Sequence, residues 1–135
     1  MSLIIETKYL GELRTRSTHL KSSQTIITDA PLDNNGKGEA FSPTDLLCAS
    51  LATCMITIMG IVAGKHGWNI DGIDCKVFKT MSPAPRKVAE IVIEFLFPKN
   101  NFSEEEKEIL RQAAHSCPVA LSLHPDLKKT VIFNF

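Results

Sequence analysis

The chain has 135 residues, with 15 lysines and arginines against 15 aspartates and glutamates. That length suits one domain with a real core, predicted to span 1–135. The charge balance argues against nucleic acid or an anionic membrane as partner. No uninterrupted apolar run approaches the roughly 18–20 residues of a membrane span, and the N-terminus lacks the charge and cleavage pattern of a signal peptide, so a soluble, cytoplasmic protein is expected.

In chain order, Leu3 to Leu10 alternates as a strand, Gly11-Glu12 marks a turn, and Leu13 to Leu20 places Arg14, Arg16 and Thr18 on one face. With the short β-branched run Gln24 to Thr28 these form a β-meander. A long loop follows from Asp29 to Ser42, rich in Pro, Asp, Asn and Gly, of the kind that often lines a site. Ser42, Pro43 and Asp45 then open a helix as N-cap, first-turn proline and N3 acid. It is predicted to run from Pro43 to Lys65 and stop at Gly67. Being apolar nearly all round, it is expected to be a buried central helix.

Beyond it, Ile73, Cys75 and Val77 alternate with polar residues, and Ile91, Ile93, Phe95 and Phe97 do the same in a second strand. Met81 to Arg86 suits the hairpin loop between them. Ser103 with Glu106 is a capping box for a surface helix reaching about His115. A short helix from Pro118 to Leu123 and a last strand from Thr130 to Phe135 complete an α+β pattern.

Chemistry is concentrated in the cysteines Cys48, Cys54, Cys75 and Cys117. None forms a C-x-x-C pair. His115 and Cys117 lack a second clustered pair of ligands, so no metal and no organic cofactor are expected. Cys117 precedes Pro118 at the start of a helix, where the dipole and free N–H groups lower a thiol pKa. Cys54 borders the polar stripe of the long helix, with Ser50 about 40° and Thr57 about 60° away. Each also has an ordinary reading, as a cap or a core thiol. Cys48 and Cys75 are expected in the core. Arg14 and Arg16 are either a solvated strand face or guanidinium groups that stabilise a thiolate.

Phe41-Ser42-Pro43-Thr44-Asp45-Leu46-Leu47 through Ala52-Thr53-Cys54, followed some sixty residues later by His115-Ser116-Cys117-Pro118, resembles the OsmC/Ohr family over nearly the whole chain. The resemblance implies an α+β intertwined homodimer with two sites at the subunit interface. It also implies a thiol-dependent peroxidase acting on small organic hydroperoxides. By position, Cys54 would attack the peroxide and Cys117 would resolve the sulfenic acid to a disulfide, which a dithiol reductant, a lipoyl group in one branch, would reset. The glutamate that the family's peroxidases carry ten residues before the reactive cysteine is Thr44 here. Asp45 follows it but points about 180° from Cys54 on an ideal helix. That departure resembles a less characterised branch. It leaves Arg14, Arg16 and Asp45 as possible thiolate-stabilising groups, and a non-enzymatic small-molecule or partner-binding domain as the alternative.

Overall fold

A computed structural model describes all 135 residues. They form two compact units, Met1–Leu46 and Leu47–Phe135, and the expected α+β mixture is found.

The first unit is an antiparallel meander of β1 (Ile5–Gly11), β2 (Arg14–His19) and β3 (Thr25–Asp29). The β1–β2 turn lies one residue later than the Gly11-Glu12 expectation: Glu12 and Leu13 both have positive φ, 52° and 63°. That left-handed pair matches the twist of a two-residue hairpin. The Tyr9 hydroxyl accepts from the Leu13 N–H at 3.2 Å, which helps hold the turn. The register puts Ile5, Tyr9 and Ile26 on one face and Glu6, Lys8, Arg14, Arg16 and Asp29 on the other.

The loop after β3 folds back on the sheet, with a short 3-10 turn at Leu32–Asn34. Asp29 N–H donates to Phe41 O and Gly36 N–H to Pro31 O. Gly36 has no alternative here, since a Cβ would sit 1.7 Å from the Ala30 carbonyl oxygen.

The long helix α1 (Pro43–His66) links the units. Ser42 Oγ accepts from Asp45 N–H at 3.0 Å while Asp45 Oδ2 accepts from Ser42 N–H at 2.9 Å, a reciprocal capping box. α1 has 24 residues, and an 18-residue stretch of it has mean hydropathy 2.3, so it is long and apolar enough to cross a membrane by length and composition. Interruptions by Ser50, Thr53 and Thr57 hide this in the sequence. In the fold those hydroxyls donate to the helix carbonyls of Leu47, Ala49 and Thr53, so they carry little unmet polarity.

In the second unit, Cys48, Leu51, Ala52, Met55, Met59 and Ala63 of α1 enter the core. They join Ile91, Ile93 and Phe95 of β5 (Arg86–Leu96), Leu110, Ala113 and Ala114 of α2 (Glu104–His115), and Cys117. β4 (Asp74–Pro83) pairs antiparallel with β5. After α2 and α3 (Pro118–Ser122) the chain returns as β6 (Lys128–Asn134), parallel to β5.

The β4–β5 hairpin is tighter than the expected Met81–Arg86 loop. Both strands run on to Pro83 and Arg86, and Ser82 Oγ donates to Pro85 O at 2.7 Å across the turn. Val77 was expected to face inward with Cys75, yet it is 38% exposed. β4 is an edge strand, covered less completely than the central β5.

Candidate functional site: a pair of thiols

Cys54 lies on the half-buried flank of α1, one position from the fully buried Met55. Cys117 is fully buried and caps α3, with extended backbone and a sulfur that accepts from Ala120 N–H at 3.2 Å. Pro118 occupies the first helical position, where no N–H is needed. Two sequence-distant elements are thereby brought together, and the Cys54 thiol lies close enough to Cys117 to act on it electrostatically. All four cysteines are free thiols.

The electrostatics of Cys117 reverse the expectation from its helix N-terminus. Burial pushes the Cys117 thiol up, and the neighbouring Cys54 adds to that. The Ala120 and Val119 N–H groups act the other way and do not prevail. The reason is size: α3 has only five residues, whereas Cys117 is wholly removed from water. A thiol kept protonated at neutral pH suits a resolving partner better than an attacking one. Cys75 is also pushed up by burial, and its strand position places it among core-packed side chains. Cys48 is buried.

The other candidates belong to the first unit. Asp45 is engaged in the α1 capping box, and Thr44 Oγ1 shares a 3.1 Å hydrogen bond with Ser42 Oγ. Arg14 grips Asp29 with two parallel bonds, Nε to Oδ1 at 2.7 Å and Nη2 to Oδ2 at 2.8 Å, and reaches Glu39 at 2.9 Å. Glu39 N–H also donates to Asp29 Oδ2. Arg16 shares the Arg14 face but opposes Lys8 across the sheet.

Sequence reasoning missed Asp29, which is 1% exposed. The signal was present: an acid ends an otherwise β-branched strand, directly opposite Arg14 in the meander register. Outside the thiols, His115 packs edge-on to Phe133 and His124 lies near Asp126. No three His, Cys, Asp or Glu side chains gather where a metal could be held.

The Arg14 guanidinium holds the Asp29 carboxyl below the usual carboxylate range, against burial, and Asp29 and Glu39 raise Arg14 further. A depressed carboxylate pKa contributes stability that is present above the unfolded value, about 3.9, and lost as pH falls through the folded one. Urea unfolding at a series of pH values is expected to show wild-type stability falling below about pH 4. Asp29→Asn is expected to be less stable at pH 7 and to lose less on acidification. Parallel pH profiles would contradict the assignment.

An α+β fold that joins two thiols from a long helix and a helix cap defines a class, and comparison with known proteins identifies it. The family described as OsmC-like protein matches residues 36–131. A solved structure from Psychrobacter arcticus 273-4, described as a candidate osmotic stress induced and detoxification response protein, is 46% identical, covers 99% of this chain and 97% of its own, and superposes with TM-score 0.95. An OsmC-like protein from Mycoplasma pneumoniae is 21% identical with TM-score 0.78, over 96% of this chain and 94% of its own. The organic hydroperoxide resistance protein OsmC of Legionella pneumophila is 17% identical with TM-score 0.74, over 97% and 96%. No curated protein matches. The chain belongs to the OsmC family.

Proposed function

We propose that the chain is a thiol-dependent peroxidase for small organic hydroperoxides, working through Cys54 and Cys117. The observation that carries this reading is the proximity of the two thiols, close enough for Cys54 to shift Cys117. The names of fold relatives such as the Legionella pneumophila protein point the same way.

The Cys54 thiolate attacks the terminal peroxide oxygen, the O–O bond breaks, and the alkoxide leaves as alcohol after taking a proton. Cys54 becomes a sulfenic acid, two electrons more oxidised. Cys117 then attacks the Cys54 sulfur, a disulfide forms, and water departs with the Cys117 proton. An external dithiol, of the lipoyl type, exchanges with the disulfide and restores both thiols while closing its own. Because the resting pair must be reduced, we place the protein in a reducing compartment such as the cytoplasm.

We further propose a homodimer. Ile5, Tyr9 and Ile26 share an exposed face of the meander, and Ile61 is exposed on α1. Apolar surface of this kind fits a second copy of the chain.

The test is one equivalent of cumene hydroperoxide added to reduced protein, with disulfides mapped by mass spectrometry. A rapid Cys54–Cys117 disulfide is expected. Slow oxidation of all four thiols alike would overturn the reading and favour a non-enzymatic binding domain. Arg14 held by two carboxylates and Thr44 at the family's acid position are the features that favour that second reading.

A further inference from the structure

On the charged face of the meander, Lys8 lies directly opposite Arg16, and Glu6 directly opposite Thr18. Directly opposed residues on antiparallel strands share a face, with Cβ atoms about 5 Å apart. Like charges in that arrangement repel and weaken the sheet. Some cations of this chain are matched, among them the third cation of this face: Arg14 with Asp29 and Glu39, and elsewhere Lys37 with Glu12 and Lys128 with Glu90. Lys8 and Arg16 have no such partner. Glu6, two residues from Lys8, makes no ion pair with either.

These side chains border a groove of about 440 Å³, lined by Glu6, Thr7, Lys8, Arg16 and Thr18.

We propose that this groove binds a small molecule through a singly charged anionic group, a carboxylate or a phosphate monoanion. Arg16 offers a planar fork of N–H donors and Lys8 a compact charge opposite it. The Thr18 hydroxyl adds a neutral donor, and Glu6 sets a limit on anion charge, because a dianion would be repelled at that edge. On β3, Ile27 sits opposite Arg16 and is 36% exposed. A short apolar tail on the ligand has a surface to lie on beside the anionic head. The site is built within the meander.

The test is an NMR titration of the full chain with inorganic phosphate, acetate and hexanoate in separate arms, at fixed ionic strength. Saturable shifts at the Lys8, Arg16 and Thr18 amides are expected. Tighter binding of hexanoate than of acetate would identify an apolar carboxylate, and preference for phosphate a phosphorylated ligand. Lys8→Gln and Arg16→Gln are each expected to weaken binding about tenfold, the loss of one charge-assisted contact. Glu6→Gln is expected to tighten it. All three positions are solvent-facing, and without anion Lys8→Gln is expected to be at least as heat-stable as wild type, because a repulsion is gone. Non-saturating shifts, or shifts unchanged in the Lys8→Gln, Arg16→Gln double variant, would overturn the proposal.

Discussion

Cys54→Ser is expected to reduce hydroperoxide turnover at least about a thousand-fold, to the uncatalysed background, because it removes the atom that receives the peroxide oxygen. Cys117→Ser is expected to behave differently. It should complete the first half of the cycle, consume about one equivalent of hydroperoxide and stop as a Cys54 sulfenic acid. A sulfenic-acid trapping reagent followed by mass spectrometry separates the two variants. Neither change should unfold the protein. Serine is a good helix cap and can still accept the Ala120 N–H that Cys117 accepts now. On α1, a serine at position 54 has the same recourse as Ser50, whose hydroxyl donates to the Leu47 carbonyl. Retained turnover in Cys54→Ser would remove the proposed function.

The upward shift of Cys117 adds a pH signature to that experiment. If burial holds this thiol protonated, the resolving thiolate is scarce at neutral pH. Disulfide formation after a peroxide pulse is then expected to accelerate by about tenfold per pH unit below the Cys117 pKa, as thiolate concentration rises. The same shift makes native stability decline as pH rises past the free-thiol value of about 8.5, since the unfolded chain loses that proton first. A resolution rate flat across this range would mean that Cys117 is not the group being titrated.

How far the sequence discloses this arrangement depends on the range of the signal. The Ser42–Asp45 and Ser103–Glu106 capping boxes are read directly, because cap and partner lie three residues apart and interact locally. The inward alternation of Ile91, Ile93 and Phe95 is likewise legible, since β5 is central and its face is buried along its length. The same rule fails at Val77 because alternation cannot say that β4 is an edge. Arg14 was legible as a candidate, but its partner was not. Asp29 is fifteen residues away, and only the meander register places it opposite. The thiol pair is harder still. α1 is apolar nearly all round, so periodicity does not mark which flank of the helix Cys54 occupies. Its meeting with Cys117 depends on how α1 and the α2–α3 junction pack on one core. Here family resemblance named the pair, while local physics misjudged Cys117 by weighing a five-residue helix above complete burial.

Gly60→Leu and Gly64→Leu are expected to turn the proposed dimer into a folded monomer. Thr53, Thr57, Gly60 and Gly64 fall within about 60° of one another on the helix. All four are exposed, so they form a narrow stripe of small side chains and bare backbone along α1. The two threonine hydroxyls are tied to the helix's own carbonyls, which leaves their methyl groups to face outward. Such a stripe lets another helix approach closely, as small residues four apart do elsewhere. Within the protomer the glycines have no evident use, because a Cβ at Gly60 or Gly64 would meet nothing within 4 Å. Glycine in a helix interior costs about 1 kcal/mol relative to alanine, and leucine nearly recovers it. An isolated protomer should therefore gain stability from either substitution. If a second copy packs on the stripe, the leucine holds the helices apart and the gain is outweighed. Analytical ultracentrifugation of wild type is expected to give a dimer, and of each variant a monomer with unchanged far-ultraviolet circular dichroism. Variants that dimerise as wild type does and melt at a higher temperature would show that this face of α1 is not where the copies meet.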